Sequence, residues 1–266
     1  MRKLLHFALI FTLLSCEETD VSEFLDKPVV ESYLYAEGSP TVKISKLIPF
    51  KSDMILSDTN IDQLKIGITD LTTGQKYPLQ ANGGGTYQNA DLIVQAGNTY
   101  QLSFPYNGME ISATTLVPEK PVNFKLSATS ISIAERGVAP SGSASPEMPF
   151  PVVLNWENTD QSYYLVYVKN VESVKEAINS KENKSDDFFR NQPTNSDHYQ
   201  LNPQSFKFYG MHRVILYKIQ PEYVIFFQNN STSSISITEI KANVENGFGI
   251  FTAVNSLSVY LYVGKP

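Results

Sequence analysis

Cysteine, tryptophan and histidine are nearly absent: the 266 residues include one Cys, one Trp and three His. A single thiol excludes an internal disulfide and any zinc site built from several thiolates. His6 lies in an N-terminal apolar run, which leaves His198 and His212 as the imidazoles of the main body. No His-Glu-x-x-His pair, no Gly-x-Ser-x-Gly elbow and no Gly-rich phosphate loop occurs. Charge is also scarce, at 18% of residues against about 25% in an average domain. The formal net charge of −6 argues against nucleic acid and anionic headgroups as partners. No apolar run reaches the roughly 20 residues that cross a bilayer as a helix. Aromatic rings are plentiful by contrast, with 15 Tyr and 15 Phe, and they suit half-buried strand positions.

The one cysteine has a distinctive setting. Arg2 and Lys3 precede the apolar run Leu4 to Leu14, and Ser15-Cys16 follows. A charged start, a short apolar stretch and a small residue before the cut are the parts of a secretory signal. Leu13-Leu14-Ser15-Cys16 resembles the lipobox read by the lipoprotein signal peptidase, which implies diacylglycerol on the Cys16 thiol and cleavage before it. Acyl chains on one residue anchor through about 0.8 kcal/mol per buried methylene. Residues 1–15 are thus expected to be the signal peptide and residues 16–26 an acidic tether carrying Glu17, Glu18, Asp20, Glu23 and Asp26. Cleavage removes two of the 21 basic residues and none of the 27 acidic ones, leaving 19 against 27, a net of −8. Acid just after the acylated Cys resembles the export signal of Bacteroidota lipoproteins, which implies the outer membrane and its cell-surface leaflet.

Beyond the tether the pattern is that of short strands. Val29 to Tyr35, Thr41 to Leu47, Gln63 to Thr69, Gln75 to Leu79, Thr99 to Tyr106 and Met109 to Val117 are extended runs separated by turn residues, with no sustained helical period. Asn107-Gly108 is a primed hairpin turn. Val117-Pro118-Glu119-Lys120-Pro121 is a stiff connection. The expected class is all-β, with two β-sandwich domains, residues 27–118 and residues 122–266, the latter carrying a helical and loop insertion at 170–211. Strands are expected at Phe124 to Ile133, Phe150 to Trp156, Tyr163 to Val168, Arg213 to Ile219, Glu222 to Phe227, Ile235 to Ile240 and Leu257 to Val263. Val171, Val174, Ala177 and Ile178 recur at the spacing of a short amphipathic helix. Val152 to Glu157 with Tyr163 to Val168 resembles the B and C strands of fibronectin type III modules, which implies that Trp156 is buried between sheets.

Few residues suggest chemistry. No catalytic residue stands out and no cofactor is implied; a hydrolytic site would have to assemble around His198, expected on a surface loop, or His212, expected at a sheet margin. Asp58-Thr59-Asn60-Ile61-Asp62 has the oxygen-ligand spacing that opens a calcium loop, with Asp53 nearby, but Gln63 and Thr69 stand where an EF-hand needs Gly and Glu. No metal site is therefore assigned. The binding candidates are Phe188, Phe189, Tyr199, Phe206 and Tyr209, rings set in a polar insertion that could stack on a ligand or fold back to seal the sandwich. Tyr163 and Tyr167 should share one face of their strand and Tyr164 the other.

Asn243-Val244-Glu245-Asn246-Gly247-Phe248-Gly249-Ile250-Phe251 resembles a segment near the end of an uncharacterised family of Bacteroidota envelope lipoproteins, a domain of unknown function. Lys27 to Leu34, Ile68 to Gly74, Ala96 to Leu102 and Ala113 to Pro118 resemble further phrases of that family. The family's Asn-Pro-Phe phrase is missing, with Ile235 to Lys241 in its place. The resemblance implies a lipid-anchored outer-membrane protein with an immunoglobulin-like first domain and a second β domain, a noncatalytic binding or assembly subunit accompanying a TonB-dependent transporter or another outer-membrane β-barrel. The other expectations are an independent glycan- or peptide-binding surface protein and, last, a hydrolase. Alternate glycines at 247 and 249 would let a backbone cross another closely, with Phe248 and Phe251 packed on either side.

Overall fold

The computed structural model of the chain describes residues 26–47, 60–136, 149–179, 187–232 and 243–266. Cys16, the acidic residues before Asp26, Asp53, Asp58 and the expected strand Ile235 to Ile240 lie outside the described residues. The first half gives β1 (Pro28–Tyr35), β2 (Thr41–Lys46), β3 (Gly67–Asp70), β4 (Lys76–Pro78), β5 (Gln80–Ala81), β6 (Thr86–Gln88), β7 (Thr99–Tyr106) and β8 (Met109–Leu116). The second gives β9 (Val122–Leu126), β10 (Ser130–Ser132), β11 (Val152–Glu157), β12 (Tyr163–Asn170), β13 (Phe188–Arg190), β14 (His198–Leu201), β15 (Gly210–Ile219), helix α1 (Pro221–Thr232) and β16 (Phe248–Gly264). The described residues are all-β apart from α1 and a one-turn 3-10 segment at Pro203–Ser205. No helix among the described residues is long and apolar enough to cross a membrane.

The architecture is two sandwiches that share one sheet. Strands run β13-β12-β15-β16-β1-β2-β6-β5, with β10 also on β16, in a single nine-stranded sheet; β4-β3-β7-β8 covers one part of it and β14-β11-β9 another. The join is β16, whose 17 residues far exceed the usual 3 to 10. Its first half runs parallel to β1 (Val29 with Phe248, through Tyr35 with Val254), and from Val254 onward it runs antiparallel to β15. Residues 27–118 therefore complete their sandwich with a strand from the far end of the chain.

Alternation along β16 explains why one strand serves two cores. Phe251 and Ala253 enter the first core beside Val30, Leu34, Leu102 and Phe104, while Leu257, Val259, Leu261 and Val263 face the second, beside Val166, Val214 and Trp156. Trp156 packs edge-on to Phe124 at 6.5 Å and against Tyr164 at 5.4 Å, as the strand pattern required. Before Val254, where β16 is paired with β1 but β15 does not reach it, its backbone would be open on the other side. Asn243 closes that gap, accepting from Phe251 N–H at 3.1 Å and donating to Phe251 C=O at 2.6 Å. Thr115 Oγ1 accepts from Ala253 N–H at 3.1 Å and donates to Glu222 Oε1 at 2.6 Å, so the first turn of α1 is tied to β8 and β16 together.

Two expected elements differ. Glu222 to Phe227 is helical, not extended: Pro221 sets φ for a first helical turn, and Tyr223 and Val224 then reach the outer face of the sheet against Leu165, Ile219 and Val254. The expected helix over Val171 to Ile178 is absent. That chain is irregular, with Ile178 fully buried and Val174 86% exposed, although helical spacing would have placed the two on one face. Bridges from Ala177 to Phe208 and from Asn179 to Arg136 hold it instead.

The alternate glycines meet β1 at its start. Gly249 has φ +92°, and a Cβ there would fall on the carbonyl oxygen of Val30; at Gly247 it would lie 2.8 Å from Val244 Cγ1 and 3.1 Å from Pro28 O. Gly249→Ala should therefore cost about 3 kcal/mol or more, from positive-φ strain plus a backbone clash that cannot relax. Gly83→Ala, with a similar φ of +91° but open space around it, should cost only about 1–2 kcal/mol. Urea unfolding of both variants checks the difference, and equal losses would contradict the close crossing.

Candidate functional site

The shared sheet has one face on the cores and one facing outward. Strand register places the outward rows: Tyr35, Val254, Ile219 and Tyr163; then Ser256, Tyr217 and Leu165; then Ser258, Ile215, Tyr167 and Arg190; then Tyr260, Arg213, Lys169 and Phe188. Tyr163 and Tyr167 thus share this face while Tyr164 is buried with Trp156, as alternation required. Helix α1 covers part of the face, and between it and β13 lies a groove of about 580 Å³. Tyr33, Tyr35, Tyr167, Tyr217, Tyr223 and Phe188 supply rings to it, and Lys169 and Arg190 supply charge. A second hollow of about 480 Å³ adjoins it through the shared residues Tyr167 and Lys169 and adds Arg213.

The rings are held by one another. Tyr33 meets Tyr223 of α1 edge-on at 6.2 Å, and Tyr167 stacks on Phe188 at 5.4 Å with 20° between planes. The Arg190 guanidinium lies 5.3 Å over the Phe227 ring, fixed by a cation–π contact. Burial pushes the phenols of Tyr33, Tyr35, Tyr167 and Tyr217 above their ordinary value of 10.0, so each hydroxyl stays protonated at neutral pH and can both donate and accept. The acids that line the two hollows are engaged: Asp187 pairs with Lys175 at 2.6 Å, and Glu172 accepts from Met211 N–H at 2.7 Å.

Of the residues the sequence singled out, Phe188 alone lines this groove, 46% exposed. Phe189 points the other way, stacks on Tyr199 at 6.2 Å and packs on the second core. Phe206 and Tyr209 are buried, at 3% and 6% exposure, and Tyr209 Oη donates to Ile133 C=O at 3.0 Å. These two seal the sandwich because the insertion folds back under β12 and β15, so the five rings do not form one surface. Tyr33, Tyr35, Tyr217, Tyr223, Lys169 and Arg190 were missed. Their strand-face parity was readable, but the pairing order that brings β1 beside β16 was not.

The remaining candidates are dispersed. His198 is exposed and lies 2.8 Å from Asp197. His212 is buried against Phe206, with Nδ1 3.1 Å from Gly210 C=O. No hydroxyl among the described residues bonds to either imidazole. At the suspected calcium loop, Asn60 Oδ1 accepts from Asp62 N–H at 2.9 Å and Asp62 Oδ1 from Gly85 N–H at 2.5 Å, which is turn capping. No cluster of three or more metal-ligating side chains occurs among the described residues.

Desolvation holds the His212 imidazole below its ordinary 6.5, opposed by the Gly210 carbonyl. A depressed value means the unfolded chain binds the proton more readily, so this contribution to stability is whole above about pH 6.5 and is lost as pH falls through the folded value. Between about pH 7.5 and 5 the urea midpoint should fall more in the native protein than in His212→Gln. Parallel curves would contradict a neutral buried imidazole.

Comparison with known proteins places the chain in a family. No curated protein matches it. A two-domain fibronectin type III segment of chicken tenascin aligns with 89% of this chain and 99% of that one, at 11% identity and a TM-score of 0.25. The family described as Domain of unknown function (DUF4249) matches residues 17–259. Nearly all of the chain beyond the first sixteen residues is covered, and the protein belongs to that DUF4249 family.

Proposed function

We propose that the protein is a noncatalytic, lipid-anchored subunit of a bacterial outer-membrane complex that captures a ligand on its tyrosine groove beside a TonB-dependent transporter. The groove supports this best: six rings and two cations from five separate elements converge on one outward face. Rigid strands present the rings, so little side-chain freedom is lost on binding. The lipobox-like Leu13-Leu14-Ser15-Cys16 supports the anchor, and the acidic residues after it support the cell-surface leaflet. A second reading, an independent surface binder, is favoured by the fact that the groove is complete within one chain.

Purification of the tagged, natively acylated protein from outer membranes in mild detergent separates the two. A transporter recovered in stoichiometric amount is the expected result, and recovery of the protein alone would leave the independent binder. Cys16→Ala should abolish incorporation of labelled fatty acid and move the protein out of the membrane fraction; retention of the label would overturn the anchor.

A further inference from the structure

We infer that the groove and the adjoining hollow form one trough for an anionic oligosaccharide, with tyrosine faces carrying sugar rings and Arg190 and Lys169 holding their carboxylates. This rests on the reading of the groove as the ligand-capturing face. Three observations carry it. Charge is inverted locally: in a chain of net charge −6, Lys169, Arg190 and Arg213 stand on the trough, while its acids Asp187 and Glu172 are already engaged by Lys175 and the Met211 amide. Arg190 is held 5.3 Å over the Phe227 ring and forms no ion pair with a carboxylate among the described residues, so its N–H groups are available to a planar anion.

The second observation is shape. The two hollows share Tyr167 and Lys169, so the trough is elongated and suits several linked units rather than a compact molecule. The third concerns what the trough cannot offer. It lies on the face of the sheet, where the amides and carbonyls of β12 and β15 are spent on Tyr163–Ile219 through Asn170–His212 and on the pairing with β16. An extended peptide is recognised largely through its main chain, and on this face of the sheet, as distinct from the outer edge of β13, it would find no backbone partner. A sugar is recognised by side chains, and its alternating apolar faces and hydroxyls match rings whose phenols remain protonated.

The test is calorimetric titration of the full chain with hexamers of galacturonate and of mannuronate, with the methyl-esterified galacturonate hexamer as neutral control and a hexaglutamate peptide as the acidic alternative. The expected result is binding of at least one uronate, at least tenfold tighter than the esterified form and weakened by salt. Arg190→Gln and Lys169→Gln, both at exposed positions, should bring the uronate down to the level of its ester, and Tyr35→Ala, at a ring 53% exposed, should weaken both. Equal affinity for charged and esterified sugar, or binding of hexaglutamate alone with sensitivity to Arg190→Gln and Tyr35→Ala, would overturn the ligand class while leaving the groove as the binding face. No binding of any uronate overturns the proposal. Binding that ignores all three substitutions would overturn the groove itself.

Discussion

Strand β16 is the element on which the rest of the structure depends. Its first half needs β1 as a parallel partner and its second half needs β15 as an antiparallel one, and the change of partner at Val254 fuses two sheets that would otherwise each end in an open edge. Such edges are costly to leave unpaired. The close crossing at Gly249 fixes the register of the first half, and the Asn243 amide with the Thr115 and Glu222 pair satisfies the backbone where β15 has run out. A parallel pairing between residues some 220 positions apart must close a long loop before its contacts offset the entropy. Neither sandwich has all its strands until the last segment of the chain is in place.

The groove is a consequence of that fusion. Tyr33 and Tyr35 belong to the first sandwich and Tyr167, Tyr217, Phe188 and Arg190 to the second, and they share a surface because β16 aligns β1 and β15 on either side of itself. Helix α1 then serves two purposes. Glu222 in its first turn accepts from Thr115 and, at 3.1 Å, from Thr252, locking the junction from outside, while Tyr223 lines the groove and Phe227 holds the Arg190 guanidinium. The ring–ring contacts among Tyr33, Tyr223, Tyr167 and Phe188 orient groups that would otherwise rotate freely. A ligand meets a surface already organised.

Local features were legible where the chemistry is local. Asn107-Gly108 sits at φ 48° and 77° with Tyr106 paired to Met109, the primed hairpin its dipeptide demands. Trp156 is buried, and Gly249 needs its missing Cβ. Misjudged segments were those in which two periods compete. Glu222 to Phe227 is apolar and ring-rich enough for a strand, yet Pro221 and the outward face of the sheet make it helical; the run from Val171 has helical spacing, yet its anchors are single bridges to Arg136 and Phe208. The groove was not legible because parity within a strand gives its faces but not its neighbours. Only the long-range pairing of β1 with β16 sets the two tyrosine pairs side by side.

Hydrogen exchange of the intact protein at rising urea concentration, followed by mass spectrometry, tests the shared strand most directly. Peptides from Thr99–Tyr106 and from Val152–Glu157, one in each sandwich, should lose protection at the same urea concentration and together with Phe248–Gly264. Loss of protection in one sandwich while the other and β16 remain protected would show two independent units and contradict the account.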